Sequence, residues 1–430
     1  MVAVPFIVLL VLILAGMPIG FALLLAAVSS LYALGLAPLT FIPDVLYHSV
    51  QSFTLLAIPF FLLAAELLSS GALIDKIFAV AQALVGRLRG GIGGAAVIAT
   101  GVFAGIQGSS AADAAAIGKI GTEGMVRQGY QASFAAALIA ASGATAILIP
   151  PSIAMLIYAS LTNVSVGRMF FAGIVPGVLN LLAFLVYIWW RAERLGWRAP
   201  EAGPAFGWRA RLGTTREALW ILLLPVFVLY GFYTGRLTAT EISTATAFYS
   251  AILALFVYRT LKLRDLWPVL LRSSETTVKL FFIIGAAVLF SKVLTFLNLP
   301  QLAFGFVQHS KLSPWQFLVG VSLVMFVMGM FMEAVSLNVM TTPILAPIAA
   351  KLGIDLVHYG IVLVLNIEIA LITPPVGLNL FVLSGVTNVP IVDIYKRVAP
   401  LVAILILLLA LVIFVPWLSL ALPDWLLPAK

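Results

Sequence analysis

Apolar runs dominate this chain, separated by short polar stretches. They cover about residues 2–15, 18–36, 53–70, 92–124, 130–163, 169–190, 218–234, 238–258, 279–298, 315–350, 356–388 and 398–421. A run near 20 residues is long enough for a helix to cross a hydrocarbon layer of about 30 Å. G-M-P-I-G, Gly16 to Gly20, splits the first apolar region and leaves 2–15 short for a full crossing. Four runs are interrupted from within. Two of them, 92–124 and 315–350, have a Gly-rich polar middle and predict re-entrant helical hairpins. Two others, 130–163 and 356–388, contain Pro-Pro, in I-P-P-S (Ile149 to Ser152) and T-P-P-V (Thr373 to Val376). Proline lacks the amide donor and clashes with the preceding turn, so each pair predicts a broken helix.

These four features share one register. Pro150 and Pro374 lie 224 positions apart, and the same offset relates Gly105 to Gly329, Ile120 to Ile344, Gly129 to Gly353 and Pro176 to Pro400. One offset kept over five positions points to an internal duplication, with halves at 1–190 and 218–430. Each half then holds five crossings and one hairpin. An odd number of crossings inverts the second half relative to the first, which predicts an all-α polytopic transporter built from inverted repeats. The Arg-, Gly- and Pro-rich stretch 191–217 reads as a cytoplasmic linker between them.

Composition fixes the solvent. Of 430 residues, 63% are hydrophobic and 9% charged, against about 25% charged in a soluble domain. The chain therefore belongs in a lipid bilayer. A net charge of +8 could serve nucleic acid, but its distribution argues otherwise. Most Lys and Arg fall near 71–91, 119–128, 191–217, 259–279 and 389–397, while Arg168, Arg236, Lys311, Lys351 and Lys430 occupy the opposite side. That bias places the basic set in the cytoplasm and both termini outside, with no nucleic-acid partner. The absence of cysteine excludes thiolate metal sites and cysteine nucleophiles. His48, His309 and His358 are too isolated for a histidine metal cluster. The N-terminus lacks a charged leader and an A-x-A cleavage signal, so it reads as a membrane segment.

Candidate chemistry lies at the interruptions, because irregular backbone inside a membrane is tolerated only where protein buries it or it lines a wet cavity. Freed carbonyls there can coordinate a small hard cation, and half-helix N-termini can hold an anion. For a sodium ion the candidates are Gly105, Ser109, Ser110, Thr145, Pro150 and Ser152 in the first half. In the second half they are Gly329, Glu333, Asn366, Thr373, Pro374 and Gly377. For substrate they are Gln107, Gly108, Asp113, Ser336, Asn338 and Asn379. No other metal and no cofactor is expected. Competing structural readings stay open: Ala111 to Ala116 can simply pack helices closely, and Asp113 can cap the second helix of its hairpin. The polar groups beside the prolines can serve only to satisfy freed backbone. Glu66 and Glu368 are weaker cation candidates, the first as an interfacial group and the second as a partner of some neighbour.

At these residues the sequence resembles a known family. The motifs are G-x-x-G-S-S-A-A-D-A-A (Gly105 to Ala115), I-P-P-S-I (Ile149 to Ile153), F-A-G-I-V-P-G (Phe171 to Gly177), G-F-Y-T-G-R-L-T-A-T-E (Gly231 to Glu241), G-M-F-M-E (Gly329 to Glu333) and T-P-P-V-G-L-N-L-F (Thr373 to Phe381). In order and over the whole chain they look like the large membrane subunit of TRAP transporters. Gly235 stands where the family usually has proline, and Glu333 where it often has Asp. The resemblance implies an elevator-type secondary transporter of the bacterial inner membrane, so the charge bias puts both termini in the periplasm. It implies sodium-driven uptake of an organic acid, among them C4-dicarboxylates, 2-oxo acids and sialic acids. It also implies two partners, a small four-helix membrane subunit and a periplasmic substrate-binding protein.

The residues alone admit a second class, a stand-alone sodium-coupled anion carrier of related architecture. An intramembrane enzyme is disfavoured, since H-E-x-x-H, Walker A and peptidase-like G-x-S-x-G sequences are absent. Duplicated broken helices also suit alternating access better than a channel.

Overall fold

Long apolar runs fold as helices here. The computed structural model describes residues 3–38, 40–69, 73–195 and 208–428, apart from the side chains of Gln107, Leu195 and residues 208–211, and no strand occurs among the described residues. The first half comprises α1 (Ala3–Leu14), α2 (Ile19–Ala33), α3 (Phe41–Ser49), α4 (Ala57–Ser69) and α5 (Leu73–Val85). It continues through α6 (Gly91–Gln107), α7 (Ser110–Arg127), α8 (Ala132–Ala144), α9 (Ile153–Thr162) and α10 (Val166–Leu195). The second half runs through α11 (Trp208–Thr234), α12 (Ala239–Ile252), α13 (Leu266–Phe296), α14 (Leu299–His309) and α15 (Pro314–Gly329). It ends with α16 (Ala334–Lys351), α17 (Leu356–Leu371), α18 (Leu378–Thr387), α19 (Ile391–Phe414) and α20 (Trp417–Leu426). The linker region around 191–217 is narrowed by α10 and α11, and residues 196–207 lie outside the described ones.

One pair of elements keeps the 224-residue offset seen in the sequence. α7 and α16 both have 18 residues and start 224 positions apart. Several stretches expected as connections are helical instead. α5 fills most of 71–91, and α13 begins inside 259–279. α5 hides an apolar stripe of Leu73, Ile77, Val80 and Ala81 against α6 and α11, which is how so short a helix holds its place.

Five described helical spans are long and apolar enough to cross a membrane: Val166–Arg194, Leu212–Thr234, Ala239–Val257, Leu263–Phe296 and Ile391–Phe414. The pair Phe41–Ser49 and Phe53–Ser69 passes the same test together, bent by 58° at its break. At 1.5 Å per residue the 12-residue α1 reaches only about 18 Å, so it falls short of a crossing. Large apolar side chains such as Phe248, Phe256, Trp267 and Leu407 point outward, while Asp113, Asn180, Asn338, Glu368 and Asn379 are fully buried. A chain solvated by lipid places its polar groups this way. α7 packs on α8 and α18, and α16 packs on α9 and α13. Each hairpin thus contacts the broken helix of the other half.

Candidate substrate and cation site

The first hairpin reverses at Gly108, whose φ of 63° is left-handed. A Cβ on Gly108 would collide with the carbonyl oxygen of Pro151. Glycine meets both demands at once, the turn and the close approach, and so the first tip rests directly on the first break. The second hairpin turns through Met330 to Met332, and Gly329 lies so close to Ala370 that no Cβ fits between them. The peptide bonds Pro150–Pro151 and Pro374–Pro375 are both cis.

Tips and breaks meet in one cavity of about 140 Å³. Gly108, Ser109 and Ser110 reach it from the first tip, and Glu333, Ala334 and Val335 from the second. The breaks contribute Ile147, Ile153, Leu371 and Leu378. Its remaining wall is built by Leu62 of α4 with Thr276 and Leu280 of α13. Four helices, α7, α9, α16 and α18, begin at this cavity.

The four N-termini are not equivalent. Ser152 caps α9, accepting from the Met155 amide at 3.3 Å while donating to the Ile147 carbonyl at 2.6 Å. Glu333 caps α16, accepting from the amides of Val335 (3.1 Å) and Ser336 (2.7 Å) and from the Ser336 hydroxyl (2.8 Å). Ser109 and Gly377, at the starts of α7 and α18, make no side-chain cap. The first-turn amides of α7 and α18 therefore keep donors and partial positive charge unclaimed by a cap. The Glu333 carboxylate lines the same cavity, so the arrangement can hold an anion and a cation together.

Asp113, for which a capping role was open, does not cap. It lies one turn into α7, fully buried, and neither carboxylate oxygen has a hydrogen-bond partner within the protein. In the opposite hairpin it is Glu333 that caps. Two amides tie the halves together. Asn379 donates to the Ser110 hydroxyl at 2.6 Å and to the Ala140 carbonyl at 3.0 Å. Asn338 donates to the Ala154 carbonyl at 2.8 Å and accepts from the Thr342 hydroxyl at 2.9 Å.

Other candidates are placed less centrally. Gly105 packs against Pro225 of α11, and the Thr373 hydroxyl bonds back to the Ile369 carbonyl at 2.6 Å. Gly377 has a left-handed φ of 55° where α18 begins. Gln107 closes α6, but its side chain lies outside the described ones. Of the residues expected to bind the cation, Ser109, Ser110 and Glu333 line the cavity, as Gly108 does among the substrate candidates; the others do not, and Asn366 and Thr145 are directed elsewhere. Asn366 donates to the Ser322 hydroxyl (3.0 Å) and the Val362 carbonyl (2.8 Å), and it lines a separate cavity among α15, α17 and α19. Thr145 faces α10, accepting from Asn180 at 2.8 Å. Both residues precede their breaks on helix faces already covered by a neighbour. Glu66 pairs with Arg272 at 3.1 Å.

Sequence reasoning passed over Thr276 and Asn180. Thr276 sits in a stretch whose charges read as a loop, although it belongs to α13. Asn180 is the single side-chain amide of α10, and that isolation in an apolar helix was the available signal.

The family profile described as "Tripartite ATP-independent periplasmic transporter, DctM component" matches residues 6–418. The C4-dicarboxylate TRAP transporter large permease protein DctM of Pseudomonas aeruginosa is 45% identical over 383 residues, which cover 89% of this chain and 88% of that protein. Its counterpart in Vibrio cholerae is 40% identical over 99% of this chain and 98% of its own length. The Vibrio cholerae sialic acid TRAP transporter large permease protein SiaM is 32% identical over 95% of each. Among solved structures, the YdaH transporter of Alcanivorax borkumensis has the same fold at a TM-score of 0.58. It is 14% identical, and the match covers 89% of this chain and 90% of that one.

Proposed function

The chain belongs to the DctM component of the tripartite ATP-independent periplasmic transporters, and from that premise we propose that it drives sodium-coupled uptake of a small organic acid. The relatives of 45% and 40% identity are C4-dicarboxylate permeases, which makes a four-carbon diacid the first candidate. The observation that carries this reading is the cavity that the uncapped N-termini of α7 and α18 share with Glu333. Carboxylates would accept from the free first-turn amides, and sodium would offset charge beside Glu333, Ser109 and Ser110.

In this proposal the two halves are inverted repeats of an inner-membrane protein whose termini are both periplasmic. Both hairpins, with the breaks they rest on, move as one body against α4 and α13, carrying the cavity across the bilayer. A separate small membrane subunit braces the wall, and a periplasmic binding protein delivers the substrate. The isethionate TRAP transporter permease protein DctMQ of Oleidesulfovibrio alaskensis is 35% identical, and the match covers 93% of this chain and 63% of that protein.

The test is uptake of labelled succinate into proteoliposomes containing this chain and its small subunit, with binding protein outside. Uptake is expected only with all three proteins and an inward sodium gradient. Equal uptake on a proton gradient alone would remove sodium from the mechanism, and uptake by the chain alone would make it a stand-alone carrier.

A further inference from the structure

A second polar site lies apart from the cavity, where α10 crosses the first break. Gly173, Gly177 and Asn180 fall on one face of α10, spaced i, i+4 and i+7. A Cβ at Gly173 would strike the Leu148 carbonyl, and one at Gly177 would come within 3.1 Å of Ile149 Cγ1. The glycines let α10 press onto the break, and Asn180 arrives beside Thr145 one turn later. Its Nδ2 donates to the Thr145 hydroxyl at 2.8 Å and to Oε1 of Glu368 on α17. All three side chains are fully buried.

This network is incomplete in one specific sense. Glu368 Oε2 and Asn180 Oδ1 have no hydrogen-bond partner within the protein. Glu368 also has no ion-pair partner among the described residues. Its neighbours are a neutral amide and a hydroxyl. A buried carboxylate in that setting costs far more than two neutral hydrogen bonds return, unless a cation or a proton neutralises it. The unpartnered atoms are both oxygens, and more oxygen lies nearby. Pro150 and Pro151 leave the carbonyls of Ala146 and Ile147 without helical donors; Ser152 takes that of Ile147.

We infer that Glu368 and Asn180, with the Thr145 hydroxyl beside them, hold a sodium ion at a site separate from the hairpin cavity. The inference rests on the sodium-coupled reading above. One carboxylate among neutral oxygens matches one hard, singly charged cation. No group of three acidic or imidazole side chains suited to a multivalent metal exists among the described residues. The site has no twin in the duplication, since the 224-residue offset takes Glu368 to Ala144, Asn180 to Ile404 and Thr145 to Ile369. Its ligands come from the first break, α10 and α17, so filling it would lock the two halves together from inside.

The test is equilibrium binding of ²²Na⁺ to the purified full chain in nanodiscs, for wild type, Glu368→Gln, Asn180→Leu and Glu333→Gln. Glu368→Gln is expected to bind one sodium fewer per chain at saturation. Asn180→Leu keeps the acid and removes Oδ1, and it should lose the same ion, which decides the matter if Glu368→Gln elutes as aggregate. Binding by both variants equal to wild type overturns the inference, even where Glu333→Gln loses an ion. Full sodium binding by Glu368→Gln together with a changed pH dependence of uptake would assign the site to a proton and overturn it too. A wild type that binds no sodium would instead sink the sodium-coupled reading, and this inference with it.

Discussion

A carboxylate at a helix N-terminus can serve the helix and a ligand with the same charge. Glu333 is in that position, holding the amides of Val335 and Ser336 while lining the cavity. Substitution separates the two roles. Glu333→Gln keeps an acceptor oxygen for the cap, so thermal unfolding should shift by less than about 1 kcal/mol. Its half-saturating sodium concentration for uptake should rise about tenfold, the equivalent of roughly 1.4 kcal/mol. Glu333→Ala removes the cap as well, and should cost about 1 kcal/mol of stability in addition. Sodium titration of uptake beside thermal unfolding reads both, and an unchanged sodium dependence in Glu333→Gln would leave the residue a cap only. Asp113 calls for the opposite expectation from a cap, where Asn would replace Asp almost freely. Buried with both oxygens unpartnered, it should tolerate Asp113→Asn poorly, with uptake at limiting sodium falling about tenfold or more. Uptake within a factor of two of wild type would show that its charge is idle.

The hairpins depend on contacts rather than on length. Gly108 and Gly353 both have positive φ, 63° and 75°, but only Gly108 has backbone in the way of a Cβ. Each Gly→Ala change should cost about 1–2 kcal/mol for the left-handed backbone. Gly108→Ala should cost more and abolish uptake, because the tip must lift off Pro151, whereas Gly353→Ala should still transport. Equal behaviour of the two in thermal unfolding and uptake would mean that the tip–break contact is dispensable. The same contrast explains what could be read from the chain. Tips and breaks are local events, written by Gly108, Pro150-Pro151 and Pro374-Pro375 where they occur. α5 and α14 are 13 and 11 residues long, below the length of a crossing, and so are hidden between spans. The bond from Asn180 to Glu368 joins residues 188 positions apart, and nothing local in the chain foretells it.

At the scale of the molecule, the proposal divides the cavity between a moving body and a fixed wall. Leu280 of α13 and Val335 of the second tip line it from opposite sides of that division. The chain has no cysteine, so Leu280→Cys with Val335→Cys would be the only thiols present. A mercury bridge between them should stop uptake, and dithiothreitol should restore it. Undiminished uptake by the bridged protein would mean that tip and wall travel together. The fold also constrains the lipid around it. α1 and α2 have 12 and 15 residues, reaching about 18 and 22 Å, and α1 turns Ile7, Leu10, Val11 and Leu14 outward. Apolar columns that short beside hydrocarbon about 30 Å thick draw the leaflets together locally, at a cost that grows with each ångström of mismatch. Acyl chain length thus becomes a variable of the transporter itself: a bilayer of 14-carbon lipids should suit this edge, and one of 22-carbon lipids should strain it.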